Sequence, residues 1–222
     1  MQRFILRQNI LRFRRMLAEE DSPLLRETAL RLLKEAEHEL ALIEWVWTWT
    51  YPDLGKEHGE ALDELLGAAM TRHGADFGTL QIWEEGTAML HLIAQRSLHG
   101  SFIERFAHVD SGSGTVCDHA LRKREQILVR DVEQDPAFAS ILEETRSEGI
   151  RALQSTPLIS LDGAPVGILS TYFRMPRPSG APELPPIDDL AARAAVILTE
   201  HLTEAAAAGA EDGGAIHTEW SA

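Results

Sequence analysis

A chain of 222 residues with 44% apolar side chains suits one compact domain with an appendage, or two small domains, and has the material for a core. A formal net charge of −14 excludes a general nucleic-acid or anionic-membrane binder, because both need a basic surface. One cysteine excludes an internal disulfide and points to a reducing compartment, and no apolar run approaches the roughly 18 residues of a membrane span.

Arg3, Arg7, Arg12, Arg14 and Arg15 interrupt the start of the chain, so no secretory signal is expected. An Arg-rich, acid-free start is also the mark of a mitochondrial transit peptide. The pattern runs on into a second helix, however, and the expected location is cytoplasmic. Residues 3–20 read as a helix with Leu6, Ile10, Phe13 and Leu17 on one face. Ser22 caps a second helix with Pro23 in its first turn and a stripe of Leu25, Ala29, Leu32, Ala36, Leu40, Ile43 and Trp47. Each helix has one apolar stripe and no core of its own, which predicts a helical hairpin over residues 1–52. Trp45, Trp47, Trp49 and Tyr51 alternate with period two, an extended pattern that links the helices to the rest of the chain.

From residue 58 the character changes. Residues 59–73 read as a helix. "ADFGTLQIWEEGTAMLHLIAQRS" reads as two strands about Glu85-Gly86. A short helix is predicted at 115–124, a strand in "QILVRDV", and a helix at 138–148 ending on Gly149 as its C′ residue. "RALQSTPLISLDGAPVGILSTYFR" reads as two strands meeting at Asp162-Gly163. A last helix covers 187–205, and residues 204–222 form a small, acidic, flexible tail. Strand neighbours joined by hairpins make the sheet antiparallel and the fold class α+β. Terminal helices can share one sheet face, which leaves the other for shorter elements and for a small molecule beneath them.

The stretches "GADFGTLQIW", "VDSGSGTVCDHAL", "VRDVEQDPAF", "GIRALQSTPLIS", "GAPVGILSTYF" and "DDLAARAAVIL" have an order and spacing that resemble a GAF domain over about residues 58–203. They are similar in particular to the GAF sensors of proteobacterial histidine kinases and response-regulator proteins, whose domains tend to follow a stretch like "RQNILRFRRML". The resemblance implies a GAF/PAS-like, six-stranded antiparallel sheet flanked by helices, here preceded by the helical hairpin. It implies terminal helices on one face and a ligand pocket on the other, a cytoplasmic two-component setting, and a homodimer paired through its helices. A histidine kinase or response regulator is the implied partner. The stretch after residue 205 is too short for such an output module, so the signal is expected to leave through the helices or a separate partner, and the fold chooses no ligand, so the cofactor is unknown.

The chemistry rests on few residues. Cys117 and His119 are two apart at a helix start and point in different directions, so no nucleophile–base pair follows. The free-methionine-sulfoxide reductases resemble a lone GAF domain but resolve their sulfenic acid through further cysteines, which are absent here. His91, His99, His108, Cys117 and His119 lack the paired spacing of a metal site. Bilin attachment in phytochrome-type GAF domains commonly has His directly after the Cys, where Asp118 stands. Gly112 and Gly114 lead into a helix capped by Ser113 or Thr115, whose free N–H groups attract a phosphate or carboxylate. Gln154, Ser155 and Thr156 are polar within an apolar strand, and Thr171 and Asp131 are similar candidates. Either they bond neighbouring strands and loops or they meet a polar ligand. Phe102, Phe106, Val132 and Phe138 supply an apolar wall. Cys117 is expected to pack beside the pocket, with some thiolate character from the helix N-terminus.

The resulting expectation is a non-enzymatic sensor that binds a small molecule through Phe102, Phe106, Ser113, Thr115, Cys117, Asp131, Val132, Phe138, Gln154, Thr156 and Thr171. The alternatives are a ligand-free GAF scaffold for dimerisation or docking and, third, a thiol-based redox enzyme. No metal, nucleic acid or membrane partner is expected.

Overall fold

Hairpins decide the sheet. β1 (Phe77–Glu84) and β2 (Met89–Arg96) form one, β5 (Ala152–Ile159) and β6 (Pro165–Phe173) the other, and β1 pairs antiparallel with β6 to join them. The short strands β3 (His108–Asp110) and β4 (Ile127–Val129) complete a six-stranded sheet in the order β3-β2-β1-β6-β5-β4. The chain is described here by a computed structural model over residues 2–19, 22–45, 54–98, 100–138 and 141–213. The extended reading of residues 46–51 lies outside that range.

The turn of the second hairpin is longer than two residues. The Ser160 N–H donates to the Ala164 carbonyl at 2.9 Å, and Gly163 sits at φ 87°, where a side chain would be strained. In β2 an extra residue at Ile93–Ala94 opposes Leu80–Gln81, so Ile93 and Ala94 both face the same core.

Both faces of the sheet are covered. Helices α3 (Lys56–His73) and α7 (Asp188–Gly213) lie on one face. There Leu62, Leu66 and Ala69 of α3 and Leu190, Ala194 and Leu198 of α7 pack on Leu80, Ile82, Leu158 and Leu169. Helices α4 (Gly100–Phe106), α5 (Val116–Lys123) and α6 (Leu142–Glu148) cover the other face, with a 3-10 turn at Pro136–Phe138. Their core includes Phe102, Ile103, Leu121 and Phe138 over Leu153, Ile168 and Tyr172. α4 and β3 were not foreseen from the sequence, and α7 runs on past residue 205.

Two close approaches fix how the layers meet. Gly167 on β6 lies against β1, where a Cβ would stand 2.3 Å from the Gln81 carbonyl oxygen. Arg96 of β2 lies across Gly67 of α3 and binds Asp63, with Nε and Nη2 at 3.0 and 2.9 Å from the two carboxylate oxygens. On the same face His73 is buried between Thr171 and the loop after β6: Nδ1 is 2.9 Å from Thr171 Oγ1 and Nε2 is 3.0 Å from the Pro185 carbonyl. The carbonyl only accepts, so Nε2 carries the proton and Nδ1 accepts from the threonine hydroxyl. Burial lowers the pKa of this imidazole, and the charges of Arg177 and Arg72 lower it further.

α1 (Gln2–Glu19) and α2 (Pro23–Trp45) pack on each other through Leu6, Ile10, Leu33 and Ala36, with Phe13, Leu17 and Leu40 beside them. The stripe of α1 is the expected one. That of α2 is rotated: Leu33 is buried rather than Leu32, and Leu25 is 46% exposed. No helix among the described residues is long and apolar enough to cross a membrane.

Candidate functional site

A cavity of about 30 Å³ lies between the sheet and α4, α5 and α6. Phe102 and Phe106 of α4, Phe138 and Ile141 enclose it on the outer side. Leu153 and Tyr172 form its floor, and Thr115, Val116, Cys117 and Thr145 close its ends. The two α4 rings lie tilted at 36° to each other with centroids 4.4 Å apart, and the Phe102 ring stands edge-on to Tyr172 at 5.8 Å. The opening holds one or two waters, well below the roughly 300 Å³ of an ordinary small-molecule pocket.

Beneath the floor, hydroxyls and the Cys117 thiol pair off. Thr79 Oγ1 is 3.0 Å from the Tyr172 hydroxyl, Ser155 Oγ is 2.8 Å from Ser170 Oγ, and Cys117 Sγ lies 3.8 Å from Ser170 Oγ and 3.9 Å from Ser155 Oγ. A hydroxyl both donates and accepts, so each member rotates to suit its neighbour. Burial raises the Tyr172 phenol pKa above its ordinary value. Burial likewise raises the Cys117 thiol pKa, against the lowering effect of its serine neighbours. The expected thiolate character at the helix start is thereby corrected: the desolvation of the sulfur outweighs the helix terminus.

The "SGSG" approach to α5 is closed by the chain itself. Thr115 Oγ1 accepts from the Asp118 N–H at 3.3 Å, and Asp118 Oδ2 accepts from the Gly114 N–H at 3.2 Å. Asp118 is 1% exposed, and Arg122 Nε stands 3.1 Å from its other oxygen. The Gly114 N–H is thus met by a carboxylate and the Asp118 N–H by a hydroxyl, and the buried Asp118 already sets a negative charge at the helix start, which disfavours an outside anion there. Ser113 remains exposed, with its hydroxyl 3.1 Å from that of Thr115.

Five of the expected ligand residues are brought together around the cavity: Phe102, Phe106, Thr115, Cys117 and Phe138. Val132 is buried in the same apolar cluster without reaching the wall. Asp131 is elsewhere, paired with Arg151 Nη2 at 3.2 Å and accepting the Glu133 N–H at 3.1 Å. Gln154, Thr156 and Thr171 face the wrong way for the cavity, which corrects their expected placement. Thr171 points to His73, its cross-strand neighbour Gln154 lies on the same face, and Thr156 accepts from Gln126 Nε2 at 3.0 Å. The cause is alternation along strands buried on both sides: the cavity side of the sheet takes Leu153, Ser155, Ser170 and Tyr172, of which Leu153 and Tyr172 reach the cavity, and the opposite face takes the residues between.

Val116, Ile141, Thr145, Leu153 and Tyr172 line the cavity beyond the residues expected from the sequence, and Ser155 and Ser170 lie behind Cys117 on the same side of the sheet. Ser155 lay within the polar stretch already singled out, and "STYF" places Ser170 and Tyr172 two apart, hence on one face. Among the described residues, no group of three His, Cys, Asp or Glu side chains is gathered to hold a metal. His91 and His108 do meet across β2 and β3, with Nδ1 atoms 2.9 Å apart, and His91 Nε2 is 3.1 Å from Glu84.

Comparison with known proteins agrees with this geometry. The sequence model of the GAF domain family matches residues 56–207, more than half of the chain. Among solved structures, the chain is similar to the GAF domain/HD domain protein from Geobacter sulfurreducens, with 16% identity over 66% of this chain and 95% of the other and a TM-score of 0.54. The GAF domain from a phosphoenolpyruvate-protein phosphotransferase of Coxiella burnetii gives 16% identity, 78% and 98% coverage and a TM-score of 0.53. Type II free methionine-R-sulfoxide reductase from Thermoplasma acidophilum gives 15%, 67% and 97%, and 0.52. At these identities the likeness is one of fold. No curated protein matches the chain. With its six-stranded antiparallel sheet, its terminal helices on one face and its cavity on the other, the chain belongs to the GAF domain family, a generally sensory and regulatory fold.

Proposed function

We propose that this GAF domain is a non-enzymatic sensor that takes a small molecule into the cavity beneath α4, α5 and α6 and reports it through its helices. The observation that carries the reading is the cavity itself. It lies on the sheet face opposite α3 and α7 and is lined by side chains from α4, α5, the 3-10 turn, α6, β5 and β6. A redox enzyme fits less well, because Cys117 is the one cysteine of the chain and burial holds its thiol protonated.

The signalling unit in this reading is a cytoplasmic homodimer working with a histidine kinase or response regulator. Ile5, Leu11, Leu24, Leu25 and Leu30 on the helical hairpin are exposed, Leu24 to 72%, which suits burial against a second copy. Native mass spectrometry of the protein purified from its own host tests the ligand. A bound mass released on denaturation supports the sensor, and a bare chain that works in the same dimeric state supports the scaffold. Light scattering on residues 55–222 tests the pairing: a dimer that survives the truncation moves the interface off the hairpin.

A further inference from the structure

The cavity wall carries no charged side chain. Its polar members are already engaged: Thr145 Oγ1 is bonded to the Leu142 carbonyl of its own helix at 3.0 Å, Thr115 is the cap of α5, and the Tyr172 hydroxyl is paired with Thr79. An anion or cation entering here would lose its hydration and meet no opposite charge. Charged metabolites such as nucleotides, amino acids and carboxylates are therefore poor occupants.

One buried polar atom on the cavity face of the sheet, behind the wall residue Phe106, does lack a protein partner. Gln81 sits on β1, is 2% exposed, and faces the cavity side of the sheet. Its Nε2 donates to the Phe106 carbonyl at 3.3 Å, which fixes the orientation of the amide, since that carbonyl can only accept. Its Oε1 is buried and receives no hydrogen bond. A buried acceptor left unmet is a standing cost to the free protein, and a ligand that brings a donor removes it. Phe106 is at once the partner of the Gln81 amide and a wall of the cavity. A displacement of Phe106 that carries its backbone along would enlarge the space and release the Gln81 amide toward it.

We propose that the cavity takes a small neutral ligand, mostly apolar and about the size of phenol, that places one O–H or N–H donor on Gln81 Oε1. This rests on the reading of the cavity as the ligand site. A single aromatic ring needs on the order of 150 Å³, so the cavity widens on binding at the expense of the Phe102–Phe106 contact. The ring then takes the place of the displaced phenyl among Phe102, Phe138 and Leu153.

The test compares three ring compounds of similar size, phenol, toluene and benzoate, on the full chain and on Gln81→Met. Affinities come from titration calorimetry, and the site from NMR shifts of Val116 and Tyr172. Phenol is expected to bind about tenfold more tightly than toluene, benzoate not to bind, and Gln81→Met to bring phenol within twofold of toluene. Equal affinity of phenol and toluene at the cavity overturns the donor contact and leaves the site standing. Benzoate binding more tightly than phenol overturns the neutral class. A phenol preference that persists in Gln81→Met overturns the role of Gln81. Shifts at neither Val116 nor Tyr172 with any of the three overturn this proposal and the reading of the cavity together. Should Gln81→Met fail to fold, the three affinities of the unaltered chain still decide the ligand class.

Discussion

Gly167→Ala is the sharpest test of how β1 and β6 are joined. The added Cβ would stand 2.3 Å from the Gln81 carbonyl oxygen and 2.9 Å from Leu198 Cδ1. The leucine tip can turn aside, but the carbonyl belongs to the β1 backbone. Relief to an ordinary carbon–oxygen contact requires the strands to part by about 1 Å, a fifth of the ~4.8 Å strand spacing. Overpacking of this kind costs about 1–3 kcal/mol. Stretched ladder bonds at Gln81–Ile168 and Ile82–Gly167 add to it, each bond contributing about 1 kcal/mol when well made. Alanine returns roughly 0.5–1 kcal/mol through its lower backbone entropy in the unfolded chain. The net expectation is a loss of about 2 kcal/mol, or about 4–8 °C in Tm for a chain of this length. Urea denaturation followed by far-UV circular dichroism measures it, with Gly86→Ala as control, where no atom lies within 4 Å of the added carbon. The control should shift stability by less than about 0.5 kcal/mol. A Gly167→Ala variant as stable as the unaltered chain would falsify the close approach.

Other expectations rest on the same geometry. His73 has a lowered pKa, so it is neutral in the fold and protonates more readily once unfolded. Its stabilisation is therefore present above the unfolded value of about 6.5 and is lost as the pH falls toward the folded value, with a slope of at most ~1.4 kcal/mol per pH unit. Denaturation midpoints from pH 8 to pH 5 should show this slope reduced in His73→Gln, and an identical slope would remove His73 as its source. Asp63→Ala removes the carboxylate from the guanidinium of Arg96, whose side chain is 17% exposed and keeps only its bond to the residue-63 carbonyl, and should cost about 1–3 kcal/mol. Adding Arg96→Met should cost less than the sum of the two single changes, and strict additivity in a double-mutant cycle would refute the coupling. Cys117, partly buried with a raised pKa, should react with a disulfide reagent at pH 7.5 at least tenfold more slowly than free cysteine. A rate equal to that of the free amino acid would show an open thiolate.

The sheet was legible because its hairpins carry turn chemistry. Asp162-Gly163 set a register in which Gln154 does face Thr171 and Ser155 faces Ser170, and that register held despite an irregularity at Leu158–Ile159. What the strand could not declare was which of these pairs points to the cavity. A half-exposed strand reveals its inner face by polarity, but β5 and β6 are buried on both faces, and polar residues occur on each. Of the polar triplet Gln154, Ser155 and Thr156, the sequence reading gives Gln154 and Thr156 to the ligand, whereas alternation puts only Ser155 on the cavity side of the sheet. α4 is seven residues long and β3 three, too short to establish a period, so Phe102 and Phe106 were readable as apolar wall but not as a pair in contact on one helix. The N-cap at Thr115 was legible. So was a carboxylate three residues on at Asp118, whose charge at the helix start disfavours an outside anion.

Thr171 and Tyr172 are consecutive on β6 and point to opposite sides: Tyr172 to the cavity, Thr171 to the imidazole of His73 and through it to the carbonyl of Pro185. Their Cα atoms are held about 3.8 Å apart by one planar peptide, so neither can be carried sideways without the other. The strand works as a diaphragm with a different listener on each side. A guest that lifts the Tyr172 backbone by a few tenths of an ångström alters the Thr171–His73 bond by a similar amount, at a ring the guest never touches. The ring signals of His73 in an NMR titration would therefore register occupancy of the cavity from across the sheet, next to the loop that leads into α7.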